Sequence, residues 1–214
     1  MTRRARQPLT RERILAVALA RVDRDGLEAL SMRAVGAALG VEAMSLYNHV
    51  PSKAALLDGL HERLLEAMDR PRATRTWATY AADQANALRR VLVAHPNAVA
   101  LFATRPAATP ATLARLEENL AVLREAGFSP IAALEVVQCV AAFVVGHALR
   151  TLGPRAGEDA ATPAYATLDP ARFPNVRAAG ALLGRHDAEK EFARGLAALL
   201  RGLAPSDPGP GAPR

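Results

Sequence analysis

Residues 32–53 read MRAVGAALGVEAMSLYNHVPSK: a short apolar helical pattern, a glycine, and a second short pattern that ends in tyrosine, asparagine and histidine. Ser31 can cap the first helix and Gly40 can end it, because glycine adopts the left-handed backbone found at helix C termini. Two helices joined by a tight turn are typical of a helix-turn-helix, whose second helix enters the DNA major groove. Val41 and Leu46 are expected to hold that second helix to its domain.

Around this second helix, polar and small side chains are expected to face outward and contact DNA. Ser45 and Asn48 can bond base edges, and a methionine can touch a thymine methyl group. Aromatic, histidine and basic side chains can bond phosphate oxygens. An alternative for Tyr47 and His49 is packing over the domain core, but their place in this polar cluster favours contact. The candidate DNA-contacting residues are Ser31, Arg33, Ala43, Met44, Ser45, Tyr47, Asn48, His49 and Lys53.

The composition limits the class of protein and its partners. The chain has 214 residues, half of them apolar, and a net charge of +6 that comes almost wholly from arginine. This length suffices for one or two compact domains, and the charge suits a polyanionic partner. The polar, basic start MTRRARQPLTRERI lacks an apolar signal region, so a cytoplasmic location is expected. At Cys139, the single cysteine, we predict a small core residue, with a reactive thiol as the alternative.

Helix-favouring Ala, Leu and Arg dominate the chain and no alternating run predicts a strand, so the expected fold is all-α. Residues 153–175, rich in Pro, Ala and Gly, are predicted to form a flexible loop. The predicted organisation is a basic flexible arm at 1–9, a helix-turn-helix DNA-binding domain at 10–52, a helical ligand-binding and dimerisation domain at 53–204, and a disordered tail at 205–214.

The most apolar run, residues 131–149, is nearly long enough to span a membrane. Glu135, Gln138 and His147 lie inside this run, which favours a protein helix buried on most sides. Together with the amphipathic segment 187–203, it carries more apolar surface than one small domain should leave in water. We therefore predict a symmetric homodimer through these two segments.

The helices from Lys53 to Leu149 are expected to enclose a mostly apolar pocket with a few polar groups, which fits a drug-sized organic molecule. For any single histidine a hydrogen-bonded core role is the alternative, and His95, before Pro96, can instead cap a helix end. For Arg150 the alternative is solvation at the helix end. The polar candidates are His61, Tyr80, Gln84, His95, Arg105, Gln138, His147 and Arg150. The sequence has no Glu-x-x-His pair, phosphate loop, nucleophile elbow or zinc pattern, so we expect neither an enzyme nor a bound cofactor or metal ion.

Residues 10–68 resemble the amino-terminal DNA-binding domain of the tetracycline-repressor (TetR) family. The resemblance rests on a periodic first helix and on the segments MRAVGAALGV, SLYNHVPSK and ALLDGL. It extends through HPNAVALFATRP, LARLEENLAVLREAGFSP, FVVGHAL and EFARGLAALLRGL, which are similar to the ligand-binding domain of the family's namesake, and so covers nearly the whole chain. The resemblance implies a homodimeric repressor that leaves a palindromic operator when a small molecule enters its core.

The same resemblance argues against tetracycline held through magnesium as the effector. The namesake's metal-binding histidine corresponds to Leu101 and its acidic partner to Arg150, and neither residue favours a magnesium ion. The polar residues that grip the drug there correspond to Gln84 and Leu88, and of this set only Thr104 is kept. Leu88 and Leu101 therefore join the ligand-binding candidates.

In place of magnesium-tetracycline, we expect a largely apolar organic ligand. Arg105 and Arg150 favour an anionic molecule, with Gln138 and His147 as polar anchors. The predicted partners are double-stranded operator DNA, this effector and a second copy of the chain, without a membrane. The alternative function is a helical adaptor that uses a basic face for a protein or membrane partner, which must treat SLYNHVPSK as accidental.

Overall fold

A computed structural model describes residues 8–70, 76–152, 165–182 and 187–205, and within these ranges the chain is helical without a strand. The predicted all-α fold is confirmed. Ten α-helices lie in these ranges: α1 Arg11–Asp25, α2 Met32–Leu39, α3 Ala43–Tyr47, α4 Lys53–Glu66, α5 Trp77–Ala94, α6 Val99–Thr104, α7 Pro110–Glu125, α8 Pro130–Leu152, α9 Pro174–Gly180 and α10 Ala188–Gly202. Single 3₁₀ turns occupy Pro96–Ala98 and Tyr165–Thr167.

Local chemistry sets most of the helix ends. A side-chain oxygen accepts a hydrogen bond from a first-turn backbone N–H at the start of seven helices, which satisfies a donor that the helix itself leaves unpaired. The capping residues are Thr10, Ser31, Ser52, Thr76, Thr109, Ser129 and Asp187. Gly26, Gly40 and Gly127 follow α1, α2 and α7 with φ of 85°, 68° and 94°. A side chain would strain the backbone at these three positions.

Helices α1 to α3 form a small unit whose core includes the fully buried Ile14, Val35 and Leu46. Helix α4 packs against α1, where the Arg11 guanidinium lies 3.1 Å from the Glu62 carboxylate. Because α4 also lines the cavity described below, it is shared between the amino-terminal unit and the larger helical domain.

A second contact ties the end of α1 to the 3₁₀ turn before α6. His95 Nδ1 lies 2.9 Å from the Asp23 carboxylate, and Asn97 Nδ2 donates to the Asp23 carbonyl oxygen at 2.8 Å. His95 therefore holds the two parts of the chain together, and it lies outside the cavity lining that the sequence suggested for it.

Helix α8 is central to the larger domain and packs against α5, α6, α7 and α10. Among the described residues, α8 is the one helix whose length and composition would allow it to cross a membrane, and those two properties are the whole basis of that statement. Only one face of it is buried, through Val136, Val140 and Val144 and their neighbours, so the prediction of burial on most sides is wrong. Cys139 lies off that stripe and is exposed, which also contradicts the predicted core role.

The loop predicted at 153–175 falls partly on ordered structure. Residues 153–164 lie outside the described part of the chain, as do 1–7 of the arm and 206–214 of the tail. From Tyr165 onward the chain forms a 3₁₀ turn, and Pro174 begins α9, so the end of the predicted loop overlaps these two elements. The turn and α9 pack closely, because a Cβ on Gly180 would lie 2.3 Å from the Cβ of Tyr165. This close approach needs a glycine, a signal that the sequence pattern alone does not reveal.

Candidate DNA-binding surface and ligand cavity

The turn between α2 and α3 is tight. Val41 N donates to the Gly36 carbonyl at 3.0 Å, and Gly40 takes the left-handed conformation at φ 68° and ψ 33°. A Cβ on Gly36 would lie 2.9 Å from the Val41 carbonyl oxygen, so α2 and the start of α3 touch through backbone. Leu46 is fully buried beneath α3 and anchors it. This is the helix-turn-helix geometry predicted from residues 32–53.

The predicted DNA-contacting residues lie together around α3. Met44 is 71% exposed and Tyr47 is 42% exposed, and Asn48 and His49 are exposed beside them. The packing alternative for Tyr47 and His49 therefore finds no support. The other members divide into the exposed Ser31, Arg33 and Lys53 and the half-buried Ala43 and Ser45.

Ser31 has a structural task as well. Its hydroxyl oxygen accepts a hydrogen bond from Ala34 N at 3.2 Å and so caps α2. The lone pair used there is unavailable to DNA, although the hydroxyl proton stays free to donate to a phosphate.

A cavity of about 720 Å³ lies between α4, α5, α6, α7 and α8. Its wall is mostly apolar, which suits an organic molecule of drug size. Six of the predicted ligand residues line it: His61, Tyr80, Gln84, Leu88, Arg105 and Gln138. Gln138 is exposed as well, which places it at the rim.

Three predicted ligand residues are not brought to the cavity. Leu101 is buried in the core at 1% exposure and does not line the wall. His147 is buried at the junction of α8 and α10, where its ring meets the Phe192 ring edge-on at 5.2 Å. Arg150 pairs with the Glu191 carboxylate on α10. These three residues are therefore not retained in the ligand site.

Three polar residues that the sequence reasoning missed, Thr112, Arg115 and Asn119, come from α7. Two of them, Arg115 and Asn119, form a chain of hydrogen bonds along the wall with residues of α5. Arg115 donates to Gln84 Oε1 at 2.9 Å and Gln84 Nε2 donates to the Tyr80 hydroxyl at 3.2 Å. The Tyr80 hydroxyl in turn donates to Asn119 Oδ1 at 2.9 Å. We call these four residues the polar strip.

The cations near the cavity differ in their partners. Arg105 lies 2.9 Å from the Asp58 carboxylate, so its charge is compensated. Arg115 is only 8% exposed, and within the described ranges no carboxylate forms a salt bridge with it. Burial, followed by the charge of Arg70, lowers the pKa of the Arg115 guanidinium. An arginine side chain keeps its charge in proteins, so Arg115 is a cation.

His61 lies on the α4 part of the wall, where its ring meets Phe102 edge-on with centroids 4.8 Å apart. Burial is the main cause that lowers its pKa; the Asp58 charge opposes this shift, and the positive charge of Arg105 adds to it. The imidazole is therefore neutral at pH 7. Within the described part of the chain, no three His, Cys, Asp or Glu side chains gather as a metal site.

Comparison with known proteins bears on both sites. The family described as "Bacterial regulatory proteins, tetR family" matches residues 14–60, and "Tetracyclin repressor-like, C-terminal domain" matches residues 70–206. The first match spans the helix-turn-helix, and the second spans nearly all of the cavity wall.

Individual relatives agree with these matches. Tetracycline repressor protein class C of Escherichia coli is 32% identical over 204 residues, covering 91% of this chain and 90% of that protein. An HTH-type transcriptional regulator of Saccharopolyspora erythraea is 37% identical over 144 residues, covering 67% of this chain and 61% of that protein. The crystal structure of the protein ActR of Streptomyces coelicolor in complex with (S)-DNPA is similar with a TM-score of 0.78, 28% identity, and coverage of 92% and 97% of the two chains.

Proposed function

The chain belongs to the tetracycline-repressor (TetR) family of DNA-binding transcriptional regulators, and from this premise we propose that it is a homodimeric repressor released from a palindromic operator by a small organic ligand. The observation that carries the proposal is the presence, in one chain, of an exposed recognition helix and a cavity of about 720 Å³. Helix α4 lines this cavity and also packs against α1 of the amino-terminal unit. Members of this family are not enzymes, and we assign this chain no catalytic activity. A cytoplasmic location follows from a DNA partner.

For DNA recognition we assign base contacts to Met44, Ser45 and Asn48 and phosphate contacts to the surrounding residues. Side chains that bond base edges discriminate between sequences, whereas a lysine bonds the phosphates of any sequence. Both Asn48 and Lys53 are exposed, so replacing either residue with alanine should leave the core intact.

The test begins by selecting a bound site from a random duplex library with the wild-type protein. We expect Asn48→Ala to weaken binding to that site by about 1 to 3 kcal/mol and to leave binding to random DNA almost unchanged. Lys53→Ala should weaken binding to both duplexes alike. It should also lower the slope of log affinity against log salt concentration by about one, the contribution of one phosphate contact. Arg201→Ala, an exposed cation on the distant α10, serves as the charge control. Equal effects of Asn48→Ala on both duplexes would contradict the assigned reading face.

The proposed dimer uses the outer faces of α8 and α10. On α8, Ile131 is 62% exposed and Leu149 is 45% exposed. On α10, Phe192 and Leu196 are buried within the protomer, so α8 supplies most of the apolar surface left in water. Light scattering at micromolar concentration should give twice the chain mass of 22.7 kDa. A monomer in that measurement would overturn the proposed interface.

We further propose that the effector is not magnesium-tetracycline. Leu101 is buried in the core away from the wall, and Arg150 is a cation paired outside the cavity, so neither position offers a metal ligand. The thermal midpoint should therefore be unchanged by tetracycline with magnesium. A stabilisation that a magnesium chelator removes would refute this proposal.

A further inference from the structure

The polar strip has a fixed direction. An arginine can only donate hydrogen bonds, so Gln84 must turn its oxygen toward Arg115 and its amide nitrogen toward Tyr80. The Tyr80 hydroxyl, having accepted from Gln84, has one proton left, and Asn119 must therefore present its oxygen to it. The arginine thus dictates every amide orientation along the strip.

This direction leaves the cavity rich in donors. The oxygens of Gln84 and Asn119 are occupied, while, among the described residues, the Arg115 guanidinium has one hydrogen bond, to Gln84. A guanidinium has five N–H groups, so most of its donors lack a protein partner. These donors are accessible from the cavity, because Arg115 lines it and none of its nitrogens is a buried unpaired atom.

Among the described residues no carboxylate forms a salt bridge with Arg115. The Glu118 charge, one turn further along α7, acts on Arg115, but Glu118 is exposed and accepts from Arg70 at 2.9 Å. The other cavity arginine, Arg105, is paired with Asp58, and His61 on α4 is neutral. A cation that is nine-tenths buried and lacks an opposite charge is costly, and a bound anion would relieve that cost.

We propose that Arg115 is the anion-binding residue of the cavity, and that the effector is an aromatic or otherwise apolar molecule carrying a carboxylate. The inference rests on the proposed ligand-responsive function and names the class of ligand. It replaces the earlier expectation that Arg105 and Arg150 attract the anion, since both are paired. A planar carboxylate fits the guanidinium through two parallel hydrogen bonds, and the mostly apolar wall of the cavity takes the rest of the molecule.

The experiment compares two probes of nearly equal shape, anthracene-2-carboxylic acid and its neutral carboxamide, by calorimetric titration of the full chain. The wild-type protein should bind the acid at least about tenfold more tightly than the amide, which is the scale of one charge-assisted pair. Arg115→Met should remove this preference by weakening the acid and sparing the amide. Arg115→Lys keeps the charge without the planar fork and should retain part of the preference.

Arg150→Met is the matched control, because it removes a paired arginine outside the cavity, and it should keep the wild-type preference. If Arg115→Met does not fold, Arg115→Lys and the wild-type ratio of acid to amide still decide the question. Equal binding of both probes to the wild type, with release of DNA by either, would overturn the role of Arg115 and leave the repressor function standing. Binding of neither probe would overturn both.

Discussion

Replacing Gly36 with alanine should destabilise the protein even though alanine is the better helix former. A Cβ at this position would lie 2.9 Å from the Val41 carbonyl oxygen and 3.2 Å from Ala43 N. Both atoms belong to the backbone of the turn, so no side chain can rotate away, and the turn itself must open.

The expected magnitude follows from two opposing terms. Overpacking of this kind costs about 1 to 3 kcal/mol, and the helix preference of alanine over glycine returns about 1 kcal/mol. We expect a net loss of about 1 kcal/mol, or roughly 2 to 4 °C in the thermal midpoint for a chain of this size. Because α3 must shift with the turn, specific DNA affinity should fall by about tenfold, which is the scale of one lost base contact.

The matched control is Ala37→Gly on the exposed face of the same helix, which measures the helix-preference term alone. Circular dichroism melts give the stability of both variants, and fluorescence anisotropy on the selected duplex gives their affinities. Ala37→Gly should lose about 1 kcal/mol of stability while keeping the wild-type affinity. If Gly36→Ala raises the thermal midpoint, helix preference alone decides and the argument from the backbone contact is wrong.

Three further outcomes are expected. Ser52→Ala removes the oxygen that accepts from the backbone at the start of α4 and should cost about 1 kcal/mol in a thermal melt, whereas Ser45→Ala, which caps nothing, should leave the melt unchanged. Burial lowers the pKa of His61 in the folded protein, so the unfolded chain binds an extra proton as the pH falls below about 6.5. Acidification to about pH 5.5 should therefore lower the midpoint of the thermal melt, and this decrease should be smaller in His61→Gln. Gly195→Ala would place a Cβ 2.7 Å from the Phe143 ring where α10 crosses α8, and should reduce the midpoint of the thermal melt.

Local features of this protein were predictable because they depend on neighbours in sequence. Ser31 caps α2, as its place in the sequence predicted, and Gly40 ends α2 in the left-handed conformation. The exposure of Tyr47 also followed from its place in the polar cluster around α3. None of these predictions required knowledge of how distant segments meet.

The cavity was predicted less well because its wall depends on which faces of α5, α7 and α8 meet. Arg115 was missed, although it lies beside the inward row of Thr112, Asn119 and Leu123 on α7, and a charge at the edge of such a row is a usable signal. Its partner Gln84 could not be assigned without the packing of α5 against α7. Arg150 was misplaced for the same reason, since only the tertiary structure shows its carboxylate partner.

The ties between α1 and the larger domain also limit how hybrid regulators can be assembled from this chain. A hybrid that replaced the helix-turn-helix domain up to Ser52 with that of another regulator would remove Asp23, the partner of His95 and Asn97. It would also set an unrelated side chain against Gly59, whose missing Cβ makes room for a leucine of α1. A functional hybrid must therefore keep both sides of these contacts together. The junction between the two parent proteins has to be chosen from the contact surface of α1, and a single position in the sequence does not define it.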